Sequence, residues 1–562
     1  MGKVIVDGIE VEVGDAERLN GIEAARRAGA DVPHYCWHPG LSVVASCRMC
    51  LVETGTRDKE TGKIAMMPKV VPACQTPAKD GTVFVTNSDK VKQARAMVEE
   101  DLLIDHPIDC PICDKAGECL LQDYHFEHGR EERRADIRPF TSKRRDVGET
   151  VTLFVDRCIM CTRCVRFTRE VTGTAELMVA NRGSHEEIDV FEGFPLDNKL
   201  SGNVVDLCPV GALGDRDFLY KQRVWFMKKH DGVCAGCSTG CSVSVEENQD
   251  AVYRLKPREN PQINKWWMCD EGRYDYAYIH SPERLNGPRR RKGSGYSPDD
   301  MDIIEWLAVP KMLTTDIEYA LTGKNPGQGG RLALVVSPFQ TVEEAWLLCE
   351  AARRMDPKAI LALGPIPTEG ADESFPGGFT IHAEKCPNRK GVEKVLAHYG
   401  PLLDWDGFLK QLAGATNGNS ISALWVAGGY RKPWIDVPTA NKLAKIPLII
   451  AHELFDSPLC KIATYVLPGA GYAERSGSYV NFAERLQSFD WAVRPPAGAK
   501  VEGHIAWSIL GRRGLYNARA VLRELAAAVP AFSAAGGEGK VPPHGIDLRL
   551  NQLAAAAAPA VV

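Results

Sequence analysis

Fifteen of the chain's eighteen cysteines fall between Cys36 and Cys269, and only Cys349, Cys386 and Cys460 lie beyond. So dense a set of thiols constrains folding more than any hydrophobic pattern, because each close group must become either a crosslink or a metal site. Met1 to Val13 lacks the basic, then apolar, then small-residue order of a signal peptide, so the chain is expected to stay in the cytoplasm. There thiols remain reduced, and close-spaced cysteines read as metal ligands before disulfides.

The cysteines divide into sets. Cys36, Cys47, Cys50 and Cys74 are spaced C-x10-C-x2-C-x23-C. They follow two strand segments around an Asp7-Gly8 turn and a helix expected over Arg18 to Ala28, and they precede a strand near Val83 to Val85. This order resembles plant-type [2Fe-2S] ferredoxins, although ten residues replace the usual four after the first cysteine. Thr54 to Lys69 reads as an exposed hairpin inserted before the last ligand. Cys110, Cys113 and Cys119 form a second set with only three thiolates, after a helix expected over Lys90 to Ile104. His106, one turn before Cys110, is either the missing fourth ligand or a cap on the helix C-terminus.

Cys158, Cys161 and Cys164 form a bare C-x2-C-x2-C, and Cys208-Pro209 most simply completes the same [4Fe-4S] site. Cys234, Cys237, Cys241 and Cys269 are spaced C-x2-C-x3-C-x27-C, with Gly232 to Val245 expected as a loop entering a strand. Structural zinc is the competing reading for every set, and most seriously for this one, because four cysteines at such spacing also suit a closed zinc site.

With 562 residues the chain should hold three to five units in series. Its 44% hydrophobic and 25% charged residues are those of a globular protein, and a net charge of -5 argues against nucleic-acid binding. The basic run Arg289 to Lys292 reads as a solvated linker. No stretch approaches the eighteen uncharged apolar residues of a membrane span, so membrane association is expected through partners.

Three longer strings carry a family resemblance: His106-Pro-Ile-Asp-Cys-Pro-Ile-Cys-Asp-Lys-Ala-Gly-Glu-Cys119, Gly202-Asn-Val-Val-Asp-Leu-Cys-Pro-Val-Gly-Ala-Leu213 and Cys269-Asp-Glu-Gly-Arg-Tyr274. They are similar to those of the large iron-sulfur subunits of NADH:quinone oxidoreductase, respiratory complex I. The resemblance is dense from Cys36 to Tyr274 and thin after it, and the long Cys50 to Cys74 spacer departs from it. It implies one [2Fe-2S] cluster on the first set and [4Fe-4S] clusters on the second and third, with His106 as a ligand; a further [4Fe-4S] site is found only in some members, and this sequence retains all four of its ligands in Cys234, Cys237, Cys241 and Cys269. It also implies electrons entering from a flavin-bearing NADH-oxidising subunit and leaving through other iron-sulfur subunits toward quinone. Location would be peripheral, on the cytoplasmic face of the inner membrane.

The implied fold is multidomain α+β and α/β. A β-grasp [2Fe-2S] ferredoxin-like domain (1–88) is followed by a His/Cys3 [4Fe-4S] domain (89–150) and a [4Fe-4S] ferredoxin-like domain (151–226). A molybdopterin-oxidoreductase-type [4Fe-4S] domain (227–285), a linker (286–330), a reduced molybdopterin-oxidoreductase-like α/β domain (331–545) and a flexible tail (546–562) complete it. In the α/β part, Leu332 to Val336, Ile360 to Leu363, Ala423 to Ala427 and Leu448 to Ala451 read as strands, and Thr341-x-x-Glu344 as a capping box opening a helix. The segment from Leu467 to Asn481 resembles a molybdopterin-oxidoreductase motif. The domain is nevertheless short for a bis-pterin, Cys386 is followed by Pro387, and no molybdopterin is expected. Cys349 and Cys460 read as buried small hydrophobes. A molybdenum formate dehydrogenase-like subunit is the alternative; hydrogenase would need four further cysteines where three scattered ones remain.

Overall fold

The structure, a computed structural model, describes residues 2–132, 134, 144–183, 185–292, 300–322, 330–414, 420–537 and 540–550. Its contacts divide it into two compact units. The first is Met1–Met227 with Phe375–Phe379, and the second is Lys228–Ser374 with Thr380–Val562.

The first unit opens with strands Gly2–Val6 and Ile9–Val13, paired antiparallel around Asp7 and Gly8. Both turn residues have positive φ, 47° and 86°, the conformation a two-residue hairpin demands. Gly2–Val6 also pairs in parallel with Thr82–Val85, which pairs with Leu51–Arg57. The expected hairpin is present, with Leu51–Arg57 antiparallel to Ile64–Met66. The helix against this sheet runs Gly21–Arg27, starting later than expected because Asn20 takes the N-cap in a full capping box with Glu23. Ile22, Ala24 and Ala25 bury one face of it beside Val4, Val6, Phe84, Cys50 and Cys74, so two thiols of the first set belong to the apolar core.

Helix Asp89–Asp105, capped by Ser88, ends at His106, whose backbone turns extended. Helix Leu120–His128 follows. A small sheet then orders Leu213–Asp215, Val151–Phe154 and Arg144–Asp146. The expected domain boundary at residue 150 therefore falls inside a sheet, since Arg144–Asp146 pairs with Val151–Phe154.

In the second unit, Lys228–Val233, Ser242–Asn248 and Ala251–Pro257 form an antiparallel meander, so the 234–241 loop joins two paired strands. Among the described residues a seven-stranded sheet follows, ordered Met301–Ile303, Arg289–Arg291, Tyr465–Pro468, Leu448–Glu453, Ile421–Ala427, Arg331–Val336, Ile360–Leu363. The last five are parallel. Apolar clusters cover both faces, one built on helices Val309–Thr322, Val342–Met355 and Ala518–Ala528, the other on Val437–Leu443 and Pro458–Ile462. This is the expected doubly wound domain, and Thr341 and Glu344 make both bonds of the capping box.

Two expectations are corrected. Residues 286–330 are not simply a linker: Arg289–Arg291 pairs with Tyr465–Pro468, and Val309, Leu313 and Ile317 are fully buried. The basic run becomes a strand because it covers a parallel strand that would otherwise present a bare edge. Its charges are met sideways. Arg290 pairs with Asp316 at 2.7 Å and lies over the Tyr465 ring, and Arg291 Nε donates to the Ala463 carbonyl at 2.9 Å. The tail is the second correction. Ile546–Asp547 pairs with Arg485–Phe489 and Leu548 is buried, so order continues into the segment expected to be flexible. The Ala-rich end, Ala554 to Val562, lies outside the described residues.

Candidate metal centres

Cys36, Cys50 and Cys74 are buried and Cys47 is half-buried. Hydrogen bonds from Cys47 and Cys74 pull the Cys36 thiol far down, while those same contacts, with burial, push Cys47 and Cys74 up. Cys74 likewise bonds the thiol of Cys50. The four sulfurs are therefore neighbours. Ala45 and Arg48, flanking Cys47, take φ of 55° and 60°, which curls the loop around the sulfurs and leaves the Cys36 N–H donating to Cys47 Sγ at 3.5 Å.

His106, Cys110, Cys113 and Cys119 line one cavity of about 230 Å³ with Leu103, Ala116 and Leu121, alongside polar Asp109, Gln122 and Arg157 and the exposed Ile108 and Phe126. Cys119 stands at the N-cap of helix Leu120–His128, where the nearby Gln122 and Leu121 N–H groups favour its thiolate without a side-chain cap bond. Burial nevertheless raises its thiol to about 11. His106 decides between ligand and helix cap. Burial, followed by the nearby Arg157 charge, pushes its imidazole down to about 4, so at neutral pH the ring is uncharged and has little to offer a helix dipole. Its Nδ1 is buried with no hydrogen-bond partner among the described residues. A neutral ring with an orphaned nitrogen, in a cavity lined by three thiols, suits metal ligation.

In the third set, burial followed by mutual thiol repulsion raises Cys158 and Cys164, and Cys161 to about 11. Met160 and Thr162, alternating with the cysteines, have φ of 49° and 58°, and the Met160 N–H donates to Cys158 Sγ at 3.4 Å. In the second unit, burial and then the other thiols raise Cys241 and Cys269, and Cys234 is raised to about 11. The Gly236 and Gly272 N–H groups donate to Cys234 and Cys269 Sγ at 3.4 and 3.3 Å. Left as thiols these groups bury protonated. Loading metal must release the protons, which couples metal affinity to pH. Among the described residues no three His, Cys, Asp or Glu side chains close on a single point as ligands of one ion do.

Two kinds of residue escaped the sequence reading. One is Gly211, inside a quoted string but given no role: a Cβ there would stand 2.1 Å from Cys113 Sγ. Its turn, Cys208 to Gly211, also reaches the second set through the Leu120 N–H, which donates to the Pro209 carbonyl at 2.9 Å. Gly211→Ala should therefore displace Cys113. Iron content should fall by about four per chain while the EPR signal of the Cys158 site persists. Full iron retention would show that the loop yields. The others are Arg163 and Arg166, interleaved with the third set's cysteines; basic residues inside a ligand loop were the available signal.

The order of the parallel strands reverses between Arg331–Val336 and Ile421–Ala427, the kind of switch point where folds of this class bind ligands. Here protein fills that crevice. Ser337 Oγ and Gln340 Nε2 both donate to the Gly428 carbonyl, and a Cβ on Gly428 would stand 2.5 Å from Glu453 Oε2. Burial holds Glu453 up at about 8. Cys386 is buried with Phe339 and Tyr430, and Cys349 and Cys460 are buried as expected. These residues do not fit a pterin at this crevice.

The chain matches five described families. These are 2Fe-2S iron-sulfur cluster binding domain (residues 3–89), NADH-ubiquinone oxidoreductase-G iron-sulfur binding region (95–134), NADH-quinone oxidoreductase subunit 3 ferredoxin-like domain (148–214), Molybdopterin oxidoreductase Fe4S4 domain (227–281) and Molybdopterin oxidoreductase (403–512). It is 37% identical over 292 residues to the G subunit of NADH-quinone oxidoreductase from Rickettsia conorii, covering 52% of this chain and 42% of that one. It is 38% identical over 298 residues to NADH dehydrogenase (ubiquinone) iron-sulfur protein 1, mitochondrial, of Solanum tuberosum, covering 52% and 38%. Against the 78 kDa mitochondrial NADH-ubiquinone oxidoreductase subunit of Neurospora crassa the figures are 33% over 357 residues, 63% and 45%. The matched stretch spans less than half the length of each of these relatives.

Proposed function

We propose that this chain, whose iron-sulfur half is homologous to the G subunit of NADH-quinone oxidoreductase, relays electrons through one [2Fe-2S] and three [4Fe-4S] clusters. The first unit would hold the [2Fe-2S] cluster on Cys36, Cys47, Cys50 and Cys74. It would also hold [4Fe-4S] clusters on His106, Cys110, Cys113 and Cys119, and on Cys158, Cys161, Cys164 and Cys208. The second unit would hold the last on Cys234, Cys237, Cys241 and Cys269. The observation that carries the reading is the second set, where an uncharged histidine with an orphaned nitrogen supplies the place a fourth cysteine would take.

When bound, such clusters accept and release single electrons. The chain's residues exclude water, aim N–H groups at sulfur and place charge nearby, and these set each potential. Substrate chemistry belongs to partners: a flavin-bearing subunit that oxidises NADH, and further iron-sulfur subunits leading toward quinone. Among the described residues no helix is long and apolar enough to cross a membrane. Attachment to the cytoplasmic face would come through those partners. The formate dehydrogenase-like alternative is weaker, because the strand-switch crevice that would hold a pterin is packed with side chains.

Anaerobic metal analysis of the full chain tests the reading. About fourteen irons per chain are expected, with matching acid-labile sulfide, little zinc and no molybdenum. Stoichiometric zinc would overturn it for the sets that hold the zinc, and stoichiometric molybdenum would favour the alternative.

A further inference from the structure

Arg163 and Arg166 are 6% and 8% exposed, and among the described residues their hydrogen bonds go to carbonyls and not to carboxylates. Both are engaged only by backbone oxygens. Arg166 Nη2 donates to the Cys36 carbonyl at 2.5 Å and to the Cys161 carbonyl at 3.1 Å, and its Nη1 donates to the Ser42 carbonyl at 2.5 Å. Arg163 makes the parallel span one helical turn earlier. Its Nη2 donates to the Trp37 carbonyl at 2.6 Å and the His34 carbonyl at 3.4 Å, and its Nη1 to the Leu207 carbonyl at 3.3 Å. Trp37 follows Cys36 in sequence and Leu207 precedes Cys208. Arg166 thus touches the peptides of ligands from two different sets, and Arg163 touches residues immediately beside ligands of the same two sets. The Nε atoms of both are buried without a partner.

Two buried cations facing only neutral acceptors are costly to the fold unless negative charge lies close by. Apart from the Glu170 carboxylate that holds Ser42, the negative charge the site could acquire is that of thiolate-bound iron on either side. We infer that Arg163 and Arg166 form a shared cationic bridge between the first and third cluster sites, neutralising charge at both and coupling their reduction potentials. This rests on the reading that both sets bind clusters. An electron added at either site is attracted by the same two guanidiniums, so the bridge raises both potentials. Its forked hydrogen bonds also give a continuous bonded route, Cys36 carbonyl to guanidinium to Cys161 carbonyl, between the two ligand loops.

The test is EPR-monitored redox titration of the loaded full chain carrying Arg166→Gln, Arg166→Lys or Ser42→Ala. Arg166→Gln should lower both midpoints together, each by about tenfold in its reduction equilibrium, or about 59 mV for one electron. Arg166→Lys keeps the charge and should keep both midpoints. Ser42→Ala loosens the same loop by removing the hydroxyl that donates to Glu170 at 2.5 Å, changes no charge, and should move neither midpoint. Full iron in Arg166→Gln with one midpoint or none displaced overturns the bridge. So does an equal fall in Ser42→Ala. If Arg166→Gln sheds iron, the lysine variant decides: retention of both clusters supports the charge role, and loss of either overturns it. Absence of both signals from the unsubstituted chain would instead overturn the cluster reading itself.

Discussion

Replacing His106 with cysteine should keep a four-iron cluster at the second site and lower its reduction potential, whereas His106→Ala should lose that cluster or bind it weakly. Neutral imidazole brings no negative charge. A site with one imidazole and three thiolates therefore holds one negative charge fewer than a four-thiolate site, and it accepts an electron more readily. Histidine-ligated Rieske centres show the direction, at about -150 to +300 mV against roughly -400 mV for plant-type clusters, with two histidines where this site has one. Burial of the His106 ring acts in the same sense, since it keeps the imidazole uncharged. A cysteine at 106 is shorter than the histidine, so the 106–110 segment must draw in to ligate. Iron counts on both variants, followed by EPR-monitored titration, check the prediction. Unchanged iron and potential in both variants would leave His106 as a helix cap and require another fourth ligand.

The second large effect is on stability. Arg475→Met should destabilise the α/β domain by about 3–5 kcal/mol, the cost of leaving a buried ion pair with one partner. Arg475 Nη1 lies 2.6 Å from Glu344 Oε2 and Nη2 lies 3.0 Å from Glu502 Oε2, and all three residues are essentially without solvent contact. Gln340 ties the group together, accepting from Arg475 at 3.1 Å and donating to Glu502 at 3.1 Å. Burial works against the guanidinium charge, but Glu344 and Glu502 more than restore it and raise its pKa. With the arginine gone, two carboxylates face each other in the dry interior and must take up protons. Glu344 would also compete with its other task, accepting the Thr341 N–H at 2.9 Å in the capping box of helix Val342–Met355. Hydrogen exchange of the central strand Ile421–Ala427 in urea reads the change locally, which suits a chain with two units better than a single global transition. Adding Glu502→Gln to Arg475→Met should recover part of the loss. A single-variant loss below about 1 kcal/mol would mean that water reaches the network.

Much of this molecule is legible from local chemistry. Thiols that share a metal must be brought together by short loops, so C-x2-C spacings mark the candidate sites without reference to the fold. Hairpin and cap signals are equally local: Asp7-Gly8 needs positive φ, and Thr341 and Glu344 satisfy each other's backbone within one turn. The histidine in the second set was readable only in part, because spacing allowed a ligand or a cap. What favours the ligand is the burial that keeps the ring uncharged, helped by the Arg157 charge from outside the segment, and the orphaned Nδ1.

Tertiary structure alone decided the rest. Arg289 to Arg291 carry the composition of a solvated linker, and they become a strand because Tyr465–Pro468, more than 170 residues later, offers them an edge. Gly211 must be glycine because a sulfur from Cys113 occupies the space a Cβ would need, which no pattern around Gly211 encodes. Arg163 and Arg166 look like ordinary surface charges on a ligand loop until the Cys36 loop folds over them. The common reason is range: a ligand spacing, a turn or a cap is an interaction of neighbours in sequence, whereas burial, steric contact and the fate of a charge are set by whichever distant segments the fold brings against it.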